Sequence, residues 1–86
     1  MDISVELTLT PLQDNFEPPI IHFIKGLRAS GLKILENPLS TQVYGPYDVV
    51  MGLLTKEIKE TFENTDKVLL HMKIVKSDRS GYEPHF

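Results

Sequence analysis

Between Ile3 and Leu9 every second side chain is apolar, namely Ile3, Val5, Leu7 and Leu9, while Ser4, Glu6, Thr8 and Thr10 occupy the alternate places. A period of two describes a strand buried on one face. Pro11 withdraws a ladder donor and closes the run, and Gln13-Asp14-Asn15 carries turn chemistry. Pro18 and Pro19 suit the first turn of a helix, where a missing N–H costs nothing, and Ile20, Phe23, Ile24 and Leu27 then share one helical face. The helix is expected to end near Ser30-Gly31, with Gly31 as a left-handed cap.

Leu32 to Glu36 reads as a short edge strand that turns at Asn37-Pro38. Leu39, Thr41 and Val43 alternate with Ser40, Gln42 and Tyr44 in a third strand, which stops at Gly45-Pro46. A stripe of Tyr47, Val50, Leu54, Ile58 and Phe62, with Lys56, Glu57, Lys59, Glu60 and Glu63 outside it, predicts a second helix. In the last strand, within Asp66 to Lys76, Val68, Leu70, Met72 and Ile74 alternate with Leu69, His71, Lys73 and Val75.

This order, β-α-β-β-α-β, predicts an α+β, ferredoxin-like sandwich: a four-stranded antiparallel sheet with two helices on one face. Residues 1–77 form the domain. Residues 78–86 form a polar tail, expected to be loosely ordered unless a neighbouring subunit holds it. The first strand is internal in such a sheet, so Ser4, Glu6, Thr8 and Thr10 stand at the middle of the uncovered face. A binding site is sought there.

Eighty-six residues, 41% hydrophobic and 24% charged, suffice for one core. A domain this small buries only about 60–65% of its unfolded surface, so association with further copies is expected. The net charge of −3 provides no basic footprint for nucleic acid or anionic lipid. Without cysteine there is no disulfide framework, thiolate nucleophile or sulfur-ligated metal. The chain opens directly on its first strand, without the pattern of an export signal, and its apolar runs are far short of a membrane span, so a cytoplasmic location is expected. His22, His71 and His85 are isolated, with no partner at zinc-type spacing, and no metal is expected. Phosphate loops, dinucleotide fingerprints and nucleophile elbows are absent, and the protein is read as a binder without catalysis.

Glu6 is an acid on an internal strand, which needs a partner: Lys73 across the open face, water, or a ring nitrogen or cation of a ligand. Thr8, Thr10, Ser40 and Gln42 offer hydroxyl and amide groups that can orient a ring, although threonine also favours exposed sheet faces by propensity alone. Tyr44 can stack on a flat or cationic ring. Phe16 can do the same or act as a staple ahead of the helix. His71 serves either a ligand or a subunit interface. Asp48 complements the dipole of the second helix and is read as structural.

Two segments carry a family resemblance: Leu7 to Phe16, LTLTPLQDNF, and Leu39 to Val50, LSTQVYGPYDVV. Together with the element order up to about Ser77, they resemble the thiamine- and hydroxymethylpyrimidine-binding family often called YkoF-like. The resemblance implies a ferredoxin-like subunit that packs its open sheet face against another copy as a homodimer or homotetramer. It also implies thiamine or hydroxymethylpyrimidine held near the interface, with no reaction performed. Ser40 and Thr41 are the matched hydroxyls. The inward parity of Thr41 requires a bulge or a strand-end position if it touches ligand. Thr10 stands where some relatives carry an aromatic.

Other readings stay open. An oligomeric regulatory or structural module would need no ligand. A small ferredoxin-like isomerase or monooxygenase would rely on Glu6 or His71 as acid or base. The RNA-recognition module shares the strand order but carries aromatic and basic residues where this chain has Thr, Glu and Ser.

Overall fold

A computed structural model describes the whole chain, Met1–Phe86. Its elements are β1 (Asp2–Pro11), α1 (Glu17–Arg28), β2 (Lys33–Glu36), β3 (Thr41–Pro46), α2 (Tyr47–Glu63) and β4 (Val68–Val75). The strands form one antiparallel sheet in the order β2-β3-β1-β4. This is the ferredoxin-like α+β arrangement, with β1 internal.

Alternation in β1 places the core. Ile3, Val5 and Leu7 are buried beneath the helices, where they meet Val43 of β3, Phe23 and Leu27 of α1, and Val50 and Leu54 of α2. At about 25 cal/mol per Å² of apolar surface, this cluster is the main source of stability. The two prolines occupy the first turn of α1, with Glu17 at its start and Lys25 and Arg28 in its last turn, all favourable to the helix dipole. The helix ends at Arg28 and is capped by Ala29 in the right-handed conformation, two residues before Gly31, so Gly31 is not its cap; Gly31 does adopt the left-handed conformation expected of it, with φ +81°.

Three details differ from the sequence reading. The third strand begins at Thr41 rather than Leu39, and Leu39 is largely exposed instead of facing the helices. Asn37 causes this: its Oδ1 accepts the backbone N–H groups of Leu39 (2.8 Å) and Ser40 (2.9 Å), so these residues are held in a turn. On α2 the buried stripe is rotated. Glu57 is buried with Val50, Leu54 and Thr61, while Tyr47 and Phe62 are exposed. Gly26 of α1 makes the room, because a Cβ there would collide with the Glu57 carboxylate.

The tail is the third difference. Ser4 was expected on an uncovered face, yet it is buried. Its hydroxyl donates to the Ser77 carbonyl at 2.7 Å and accepts the Arg79 N–H at 2.9 Å. The Lys33 ammonium then donates to the Ser80 carbonyl at 3.3 Å. The chain after β4 therefore crosses the open face from β1 towards β2.

Leu27 is wholly buried at the centre of the core. Leu27→Ala is expected to lower the unfolding free energy by about 2–5 kcal/mol in chemical denaturation.

Candidate ligand site

Strands β1 and β3 pair from Asp2↔Pro46 to Leu7↔Thr41, after which β1 continues to Pro11 against β4 alone. The place that a longer β3 would fill is taken by the Asn37–Ser40 turn. Between that turn, the end of β1 and α1 lies a cleft of about 180 Å³. Leu7, Leu9, Ile20, Phe23 and Ile24 form its apolar walls, and Thr8, Asn37, Ser40 and Thr41 supply its polar groups. Sites for small rings are commonly built in this way, with apolar walls and a few placed hydrogen-bonding groups.

Thr41 points inward and is buried, as its parity requires. Its position at the first residue of β3 nevertheless lets it line the cleft, so no bulge is needed. Ser40, one residue earlier, lines the cleft and also reaches the other face: its hydroxyl donates to Glu6 Oε2 at 3.0 Å. Gln42 Nε2 donates to the same Ser40 hydroxyl at 3.0 Å. Thr8 donates to the Leu39 carbonyl at 3.3 Å, tying β1 to the turn.

On the open face Glu6 and Lys73 are shared by two shallow hollows of about 280 and 330 Å³. The first includes Gln42, Tyr44, Arg79 and Tyr82; the second includes Thr8 and His71. Tyr44 and Thr8 thus belong to different hollows, joined only through Glu6 and Lys73. Thr10 is exposed beside Leu69, and Phe16 is half exposed at the start of α1; neither lines these three spaces. Lys73 stands 3.8 Å from Glu6, with both side chains substantially exposed, a contact that contributes little stability and yields readily.

Several lining residues were not singled out from the sequence. Asn37 was legible only as a turn residue, and its neighbouring apolar walls only as core. Arg79 and Tyr82 sit in a tail without periodicity, so nothing in the residue pattern indicated the face they cover.

No family model matches the sequence, and no curated protein matches it. Solved structures do share its shape. Protein SP2199 from Streptococcus pneumoniae superposes with a TM-score of 0.85 at 22% identity, covering 94% of this chain and 92% of its own. A “putative thiamine biosynthesis/salvage protein” from Thermotoga maritima gives 0.81 at 16% identity, covering 90% and 85%. The DUF77 domain of unknown function from Bacillus cereus gives 0.76 at 14%, covering 96% and 83%. At these identities the likeness establishes the fold.

The tail that roofs one hollow is tied by Asp78, whose carboxylate accepts the Ser80 N–H at 2.9 Å. Hydrogen bonds from Ser80 hold its pKa below the ordinary value, helped by the Lys33 charge. A lowered carboxylate pKa favours the docked turn above the ordinary value and loses that contribution as pH falls through the docked one. Amide exchange in Ser77–Tyr82 is therefore expected to be protected at neutral pH, with protection falling once pH drops below about 4.

Proposed function

We propose that this protein binds thiamine or its hydroxymethylpyrimidine part, without catalysis, as a carrier or reservoir in uptake or salvage. The observation that carries the reading is the cleft at the end of β3. It brings Thr8, Asn37, Ser40 and the inward-facing Thr41 together with apolar walls in about 180 Å³. A cavity of about 150 Å³ accepts a benzene-sized ring, so one pyrimidine is of the right order. Aminopyrimidine offers an amino donor beside ring acceptors, and hydroxyls can serve either role.

Thr8 lines both the cleft and the hollow that holds Glu6 and His71, on either side of the end of β1. With the pyrimidine in the cleft, a thiazolium cation is left to the Glu6 carboxylate, displacing the loosely held Lys73 ammonium. Tyr44 and Gln42 sit further along the open face and serve a longer ligand. Thr10 and Phe16 take no part in this placement. The sequence resemblance to YkoF-like proteins and the described role of the Thermotoga maritima neighbour support the same ligand class. Copies of the chain are taken to associate, as its size suggests.

Isothermal titration with thiamine and with hydroxymethylpyrimidine tests the reading. Thr41→Val keeps the shape and removes a hydroxyl from the cleft, and is expected to weaken both ligands about tenfold. Glu6→Gln is expected to weaken thiamine and to leave the neutral pyrimidine alcohol largely unaffected. Saturation at 100 times the dissociation constant adds about 2.7 kcal/mol to stability. A melting curve unmoved by millimolar amounts of either compound would remove the proposal.

A further inference from the structure

The first half of α1 borders two different spaces. Ile20, Phe23 and Ile24 line the cleft, whereas Pro18, Pro19 and His22 line a separate pocket of about 300 Å³. Its remaining walls come from the loop after β1, through Gln13 and Asn15, and from the end of α2 and the turn beyond it, through Thr61, Asn64 and Thr65. Ligand pockets run from about 300 to 1,000 Å³, so this one has room for a single small ring. The two prolines apart, every lining side chain is polar, and none is a carboxylate, ammonium or guanidinium.

Thr61 is the one buried residue among these, at 3% exposed, and therefore forms the floor. Its hydroxyl has no hydrogen-bond partner in the protein, so even the carbonyl one turn back in α2, a common acceptor for helical threonine, is left unused. Burying a hydroxyl unpaired is costly, and native proteins keep such groups few. The rim above it is held in place by the chain itself. Gln13 Nε2 donates to the Asn15 carbonyl at 2.6 Å, Asn64 Nδ2 donates to the Glu60 carbonyl at 2.8 Å, and His22 Nε2 meets Glu60 Oε1 at 2.8 Å. These bonds occupy the outward groups and leave the Gln13 and Asn64 amide oxygens and the Thr61 hydroxyl for an occupant.

Charge decides what class of molecule fits. A helix start commonly holds anions through its free N–H groups, but Pro18 and Pro19 remove two of them here. Asp14, Glu17, Glu60, Glu63 and Asp66 each adjoin a lining residue in the chain, and no lysine or arginine does, so an anion is repelled. A cation finds no carboxylate in the lining, and Glu60 beside it is engaged by His22. A flat apolar ring finds none of the hydrocarbon walls that the cleft provides. What remains is a neutral molecule with many hydrogen-bonding groups. A ligand hydroxyl both donates and accepts, so it pairs with an amide oxygen, an amide N–H or another hydroxyl as each is presented.

We propose that this pocket is a second binding site, which takes a neutral polyhydroxy ring of monosaccharide size and pairs one ligand hydroxyl with Thr61. Because the rim is already ordered, little side-chain freedom is lost on binding. The site shares no residue with the cleft or with the hollows of the open face and does not depend on what they bind.

Nitrogen–proton NMR titrations with glucose, galactose and mannose test it. At least one of these sugars is expected to give saturable shifts at Gln13, Thr61, Asn64 and Thr65 and none at Thr8 or Ser40, while sodium phosphate moves none of the four. Thr61→Val keeps the shape and removes the unpaired hydroxyl. It is expected to weaken that sugar about tenfold without lowering the melting temperature, since no bond within the protein is lost. Asn15→Ala, in the exposed loop, is expected to weaken the sugar as well and decides the matter if Thr61→Val does not fold. Absence of saturable change at these residues with all three sugars at roughly tens of millimolar overturns the proposal and leaves Thr61 to water. Sugar binding unaltered in both variants, or displacement of the sugar by phosphate, overturns it too.

Discussion

Burial of Ile3, Val5 and Leu7 on one side of β1 governs the placement of nearly everything else. The strand is internal, paired to β3 and β4, and its side chains alternate without interruption. A slip of one residue would drive Ser4, Glu6 and Thr8 into the helices and expose the core, so the register is strongly determined. The same constraint keeps Glu6 on the uncovered face, within reach of Ser40, Gln42 and Lys73. Polar chemistry on the open side is thus a consequence of apolar packing on the other.

The cleft opens where this regular pairing stops. Asn37 captures two backbone N–H groups and prevents β3 from extending to Leu39. β1 runs on past Leu7 without a neighbour on that side, and α1 roofs the space. Ser40 stands at the junction, with one side on the cleft and its hydroxyl on Glu6. A single interrupted ladder therefore creates a ring-sized apolar space and connects it to a carboxylate, using no residue that is unusual by itself.

Much of the fold was legible because it rests on periodicity. The two-residue alternation of β1 and β4 gave their faces correctly, and the prolines of α1 marked its start. Where side chains act locally on the backbone, periodicity misled: Leu39 continues the alternation of β3 in the sequence, yet the Asn37 side chain removes it from the strand. Glu57 looked like a solvated charge because nothing in α2 reveals that Gly26 of another helix lies against it. The site was legible in part. Glu6, Ser40 and Gln42 do meet through hydrogen bonds, but Thr8 and Tyr44 are set in separate hollows, and Thr41 reaches its cleft from the helical side. Strand parity gives a face and not a position along it, and the closing of a space by a turn or a tail is a tertiary fact.

The proposed function requires a single aromatic ring to enter the cleft between the end of β1, the Asn37–Ser40 turn and α1. Backbone amide shifts in a two-dimensional nitrogen–proton NMR titration with hydroxymethylpyrimidine report on it residue by residue. A ring in the cleft gives the largest saturable changes at Thr8, Leu9, Ser40 and Thr41, with little movement at Lys33 or Tyr82. Saturable changes confined to Tyr44, Arg79 and Tyr82, or none anywhere along the chain, would contradict it.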